Sequence, residues 1–172
     1  MFNLKHAALA VTASFIAAAP VMAAPVSVAS PPPGRALLLI PLTLTKVQDI
    51  HFGTIIPSST TAGFVTINAT TGGRTGSAGI TLVSTDQGQR GRFAGAGSAG
   101  QKVFIDLTPP TELANPAGDK ITVIGMTLDG PALRTIAANQ SFFVGVGGTI
   151  FIDVNQPEGL YSATYDLTAD YQ

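Results

Sequence analysis

The sequence predicts an all-β fold, an antiparallel sandwich or barrel. Apolar residues recur with a period of two in many short segments, and Gly, Pro, Asn and Asp clusters separate those segments. Beyond the N-terminus no segment keeps a 3.6-residue apolar period over three turns, and Pro131–Ala138 has room for one short helical turn at most.

The segments follow in order. Leu38, Ile40, Leu42 and Leu44 share one side of an extended run, with Pro41, Thr43 and Thr45 on the other; Pro41 biases this strand toward an edge. Ile50 and Phe52 precede Gly53, and Ile55-Ile56-Pro57 closes a second short extended piece. Gly63–Ala69 and Ile80–Ser84 are the next strands, with Thr71-Gly72-Gly73 as a turn between them. A glycine-rich stretch spans Gly88–Gly100. Val103–Leu107 puts Val103, Ile105 and Leu107 on one face and stops at Pro109-Pro110. Ile121–Leu128 ends at the turn pair Asp129-Gly130. Ser141–Val146 and Thr149–Val154 flank Gly147-Gly148. Gly159–Tyr171 then alternates almost without fault, with Tyr161, Ala163, Tyr165, Leu167, Ala169 and Tyr171 on one face.

The N-terminus reads as a tripartite export signal. A positive charge closes Met1–Lys5, an uncharged and mostly apolar run covers Ala7–Ala19, Pro20 breaks it, and Val21-Met22-Ala23 offers small residues for cleavage after Ala23. The expected organisation is a signal peptide at 1–23, an extension or linker at 24–36 with Pro31-Pro32-Pro33-Gly34, and a β-sandwich domain at 37–172. Cleavage leaves 149 residues, with eight cations against ten acids. The expected location is the periplasm in transit and then the cell surface, with no membrane span after cleavage.

Composition bounds the function. Charged residues make up 11% of the chain, where about 25% is usual, and mean hydropathy is +0.36. Much surface is therefore expected to meet protein rather than water. Cysteine is absent, so no disulfide staples the domain. Scattered cations and a negative balance exclude a nucleic-acid binder.

No constellation in the sequence points to catalysis or to a cofactor. Gly95-Ala96-Gly97-Ser98-Ala99-Gly100 matches G-x-G-x-x-G by letter, but a strand and two prolines follow it where a dinucleotide site needs a helix. A metal site needs three or four ligands, and His51 is the sole histidine after the signal. Asp166 and Asp170 belong to the wet face of the last strand. The expectation is a protein that is not an enzyme and takes no metal or cofactor.

The last strand carries a family resemblance. Gly159 stands fourteenth from the C-terminus and Tyr171 is penultimate, with alternating apolar residues between. This resembles the C-terminal signature of chaperone–usher pilins. Pro41–Lys46, Asp49–Ile55, Phe143–Ile150 and Gln156–Tyr161 resemble a family of secreted bacterial domains of unknown function, itself similar to Mat/Ecp-type fimbrillins and spore-coat-U-like proteins. The resemblance implies an immunoglobulin-like, pilin-like sandwich that lacks one strand, supplied by the N-terminal segment of a neighbour.

On that resemblance Gly159, Tyr161, Tyr165, Leu167 and Tyr171 are expected to meet a subunit or chaperone. Val26, Val28, Leu38, Ile40, Leu42 and Leu44 are donor-strand candidates. The expected function is a structural or adhesive subunit of a surface fibre. Its partners would be copies of itself or related subunits, together with a periplasmic chaperone and an outer-membrane usher. The alternative is a self-complete secreted sandwich acting as a coat protein or surface binding module.

Overall fold

The longest strand among the described residues, Ser141–Ile152, is the one around which the others assemble. The computed structural model describes residues 29–30 and 33–172. Val26, Val28 and the expected export signal at 1–23 lie outside the described residues.

Among the described residues there are twelve strands and no helix. They are β1 (Thr43–Gln48), β2 (Ile55–Pro57), β3 (Gly63–Ile67), β4 (Arg74–Gly76), β5 (Ile80–Leu82), β6 (Gly91–Ala96), β7 (Lys102–Thr108), β8 (Glu112–Ala114), β9 (Lys120–Leu128), β10 (Leu133–Thr135), β11 (Ser141–Ile152) and β12 (Asp166–Tyr171). Every pairing is antiparallel. One sheet runs β1-β6-β11-β3-β4, with β9 also on β11 and β8 on β9; a second runs β10-β7-β12; β2 and β5 pair alone. As Pro41 foretold, β1 lies at a sheet edge.

Strand β11 serves three neighbours. Its first half pairs with β6, its second half with β3, and Val146–Phe151 with β9. Phe142, Val144 and Val146 enter one core with Phe93, Val103, Ile105 and Ile136. That core lies between the large sheet and the β10-β7-β12 sheet. Ile150 and Ile152 enter a second core with Val65 and Ile121, flanked by the β2-β5 pair. The period of two in β11 therefore feeds both cores from one face.

Several features differ from the sequence reading, and among them Gly159–Tyr171 forms a strand only over Asp166–Tyr171. Gly147-Gly148 does not turn the chain: β11 runs straight through it. A Cβ on Gly147 would sit 2.3 Å from the Ile67 carbonyl oxygen, so glycine is there to let β3 approach. The glycine-rich stretch holds a full inner strand, β6, in which the Phe142 ring occupies the space over Gly95. Pro131–Ala138 holds the short strand β10 rather than a helical turn.

A Cβ on Gly95 would lie 2.1 Å from the Phe142 ring. Gly95→Ala should therefore destabilise the domain by about 1–3 kcal/mol through overpacking. Adding Phe142→Leu should recover part of the loss. Urea unfolding of the two variants checks this; a neutral Gly95→Ala would mean that the ring is not seated there.

Candidate assembly seam between the first and last strands

The hydrogen-bond register identifies which backbone groups each edge strand leaves open. The Gln172 amide donates to the Lys102 carbonyl at 3.1 Å, and Tyr171 pairs with Val103. In an antiparallel ladder bonded pairs alternate with non-bonded ones. The even residues of β12 therefore bond to β7, and the N–H and C=O groups of Leu167, Ala169 and Tyr171 point to the outer edge. The same parity applies to β1. The Gly97 amide donates to Gln140, which directs the odd residues of β6 to β11 and the even ones to β1. Leu44 and Lys46 then turn their backbone groups outward.

These two open edges belong to different sheets but run beside each other. Their apolar side chains, Leu42, Leu44, Leu167, Ala169 and Tyr171, all pack on the first core yet stay half-buried. Val103 and Ile105, further inside, are fully covered. The seam is thus an apolar rim with an unpaired backbone lip on each strand. A bulge in β1, marked by the register shift between Lys46 and Gln48, interrupts one lip.

A tyrosine stands at each end of the seam. At one end the Tyr171 hydroxyl accepts from the Ser98 amide at 2.7 Å and donates to the Ile40 carbonyl at 2.8 Å, while the Ile40 amide donates to Ser98 Oγ at 2.9 Å. Gly97 leaves room for this phenol, since a Cβ there would lie 2.6 Å from the hydroxyl. At the other end the Tyr165 ring meets Phe93 edge-on at 6.2 Å. Its hydroxyl is buried without a hydrogen-bond partner. Burial, with a smaller contribution from Asp49, raises the phenol's pKa.

The candidate residues divide between the two cores. Tyr165, Leu167 and Tyr171 line the seam with Leu42 and Leu44. Leu38 and Ile40 precede β1 with exposures of 87% and 42%. Tyr161 packs on the second core, its hydroxyl donating to the Pro157 carbonyl at 2.7 Å. Gly159 abuts Asn115 of the β8–β9 hairpin, where its φ of 155° favours glycine and a Cβ would lie 3.0 Å from Asn115 Nδ2. Gly159 and Tyr161 are therefore not brought to the seam. Sequence reasoning missed Ser98, Gly97 and the carbonyl of Ile40; Gly97 and Ser98 sat inside a glycine-rich stretch given no strand and no site.

His51 pairs its backbone with Gln89 and lies 3.5 Å from Asp86, to which Thr54 Oγ1 donates at 2.7 Å. The Thr54 bond first, and His51 among the lesser causes, holds the Asp86 carboxyl below its ordinary value. The carboxylate bridges hydroxyl and imidazole, whereas an activated nucleophile needs the imidazole beside the hydroxyl. Among the described residues no three His, Cys, Asp or Glu side chains gather as a metal site.

The family described as Domain of unknown function (DUF4402) matches residues 42–171, and the chain belongs to it. The match begins at Leu42 and ends at Tyr171, both residues of the seam. No curated protein and no solved structure matches the chain.

Two substitutions separate the tyrosines. Tyr171→Phe should cost about 1–3 kcal/mol through two lost partners, and hydrogen exchange should quicken at the Ser98 amide. Tyr165→Phe should be neutral or stabilising, because its hydroxyl leaves nothing unpaired behind. The raised phenol pKa means that wild-type stability is complete below the ordinary value of about 10 and falls as pH rises through it. Tyr165→Phe should lose that alkaline decline, as read by urea midpoints across pH.

Proposed function

We propose that this chain is an exported structural subunit of a surface fibre, and that neighbouring subunits join by strand addition at the seam between β1 and β12. The observation that carries the reading is the half-buried apolar rim beside outward backbone groups of Leu167, Ala169 and Tyr171. An added strand would pair those groups and cover that rim, at about 25 cal/mol per Å² of apolar surface. Supporting it on the donor side, Leu37 and Leu38 belong to no strand and are 75% and 87% exposed. Leu42 and Leu44 pack on their own core, so in this reading the donor lies at or before Ile40, and Val26, Val28, Leu38 and Ile40 remain its candidates.

On this reading the fold is the pilin-like sandwich with one strand lacking. Residues 1–23 direct export and are removed, a periplasmic chaperone covers the seam in transit, and an outer-membrane usher delivers the chain to the cell surface. The role is structural and adhesive rather than enzymatic. A second reading, a self-complete coat or binding module, draws on the complete burial of Val103, Ile105 and Val146 without any partner.

Gel electrophoresis of surface-sheared material, unheated beside boiled, tests the proposal. A ladder that collapses to one band on boiling is expected; a single monomer band in both lanes favours the self-complete module. Ala169→Pro sharpens the test, because it removes an outward N–H without touching the β7 ladder, as edge strands tolerate. It should leave a folded monomer by circular dichroism and abolish the ladder. A normal ladder from Ala169→Pro would sink assembly at β12.

A further inference from the structure

On the outer face of the large sheet, away from the first core, β6 presents Arg92 between Gln48 of β1 and Gly145 of β11. Arg92 is exposed, and Gly145 beside it carries no side chain because Ala69 and Asp129 occupy that space. Arg90, just before β6, donates through Nη1 to the Ala69 carbonyl at 2.9 Å and to the Thr70 carbonyl, which fixes its guanidinium in place. Neither arginine pairs with a carboxylate among the described residues. Three acids in the surrounding segments already have partners: Asp129 pairs with Arg134 at 2.7 Å, Asp49 with Lys46 at 2.8 Å, and Asp86 accepts from Thr54.

Two depressions meet at these arginines. One, open and about 290 Å³, is bounded by Gln48, Thr71, Gly72 and Gln89. The other runs toward Asp129 and Phe143. Gln48 and Gln89 donate their amide nitrogens to the carbonyls of Arg90 and Asp49, which leaves the side-chain amide oxygens as acceptors. Phe143, near the start of β11, is 61% exposed.

We propose that this groove binds a carboxylated saccharide. Two fixed or free guanidiniums without counter-charge suit a carboxylate, which arginine grips with paired N–H donors. The amide oxygens and Thr71 suit sugar hydroxyls, and the exposed Phe143 ring suits the apolar face of a pyranose. Free phosphate would use the arginines and leave the other groups idle. The volume fits about one or two sugar rings and is too small for a folded partner. The groove lies on the sheet face, not at the strand edges, so a chain polymerised through its seam would present one groove per subunit and gain avidity from repetition.

Titration calorimetry on the full chain, with a galacturonate trisaccharide as probe and the neutral galactose trisaccharide as control, tests this. Saturable binding of the acidic probe alone is expected. Arg92→Gln should weaken it by about tenfold or more and flatten its salt dependence. Phe143→Ala should weaken it several-fold with the salt dependence intact. The Arg92 side chain makes no hydrogen bond among the described residues, so its variant should stay folded, which circular dichroism verifies. Equal binding of both trisaccharides, binding unchanged by Arg92→Gln, inorganic phosphate binding as tightly as the trisaccharide, or no saturation at millimolar probe would each overturn the proposal. Fibre assembly is read separately on gels, so failure here leaves the seam untouched and the reverse holds as well.

Discussion

Strand β11 has to satisfy three pairing partners at once, and that requirement dictates its sequence. Phe142, Val144, Val146, Ile150 and Ile152 face inward and fill two cores. On the opposite face Gly145 and Gly147 carry no side chain because Ala69, Asp129 and the Ile67 carbonyl crowd that surface. Any Cβ at Gly147 would push β3 off its partner and open the second core. The same economy recurs at Gly95, where the absence of a side chain admits the Phe142 ring. Glycine in these inner strands weakens them in isolation, and tertiary packing supplies what local propensity lacks.

With no disulfide available, arginine fastens the loops. Arg74 donates to the carbonyls of Phe52, Thr54 and Val83, tying the β4 strand to the segments around β2 and β5. Arg90 holds the carbonyls of Ala69 and Thr70 after β3. Arg134 reaches Pro131, Phe143 and Asp129, closing the β9–β10 turn onto β11. Each guanidinium satisfies carbonyls that a turn leaves without backbone partners, and charge-assisted bonds of this kind are stronger than neutral ones. The chain has few cations, and three of them are spent on internal architecture.

The parts of the fold legible in the sequence were those where side chains report their surroundings. β3, β7 and β9 announced themselves through β-branched alternation, and the outward Asp166, Thr168 and Asp170 marked the wet face of β12. β6 was illegible because Gly91 and Gly95 mimic a loop, and β4, β8 and β10, at three residues each, are too short to show a period. Gly159–Tyr171 looked like one strand because parity held throughout. The chain in fact leaves the ladder between Tyr161 and Tyr165, so residues of equal parity enter different cores. Of the seam, the alternating residues of β12 could be read in advance; that β1 lies beside it could not, because contact between segments more than a hundred residues apart leaves no local trace.

The seam's chemistry sets how strand addition would work on this frame. The innermost residues, Val103, Ile105 and Val146, are covered by the chain itself, so an arriving strand would cap a rim rather than plug a hole. Its gain comes from the half-buried Leu42, Leu44, Leu167 and Ala169 and from the outward backbone groups beside them, which water satisfies in the free chain. Such a subunit would fold before assembly and rely on added contacts afterward. The bulge near Lys46 works in the same direction, since an irregular edge resists indiscriminate pairing. The smooth lip on β12 then becomes the preferred side for a partner, and the Tyr171 phenol, which holds the Ile40 carbonyl at that end, couples the exit of the apolar leading segment to the strand it would meet on a neighbour.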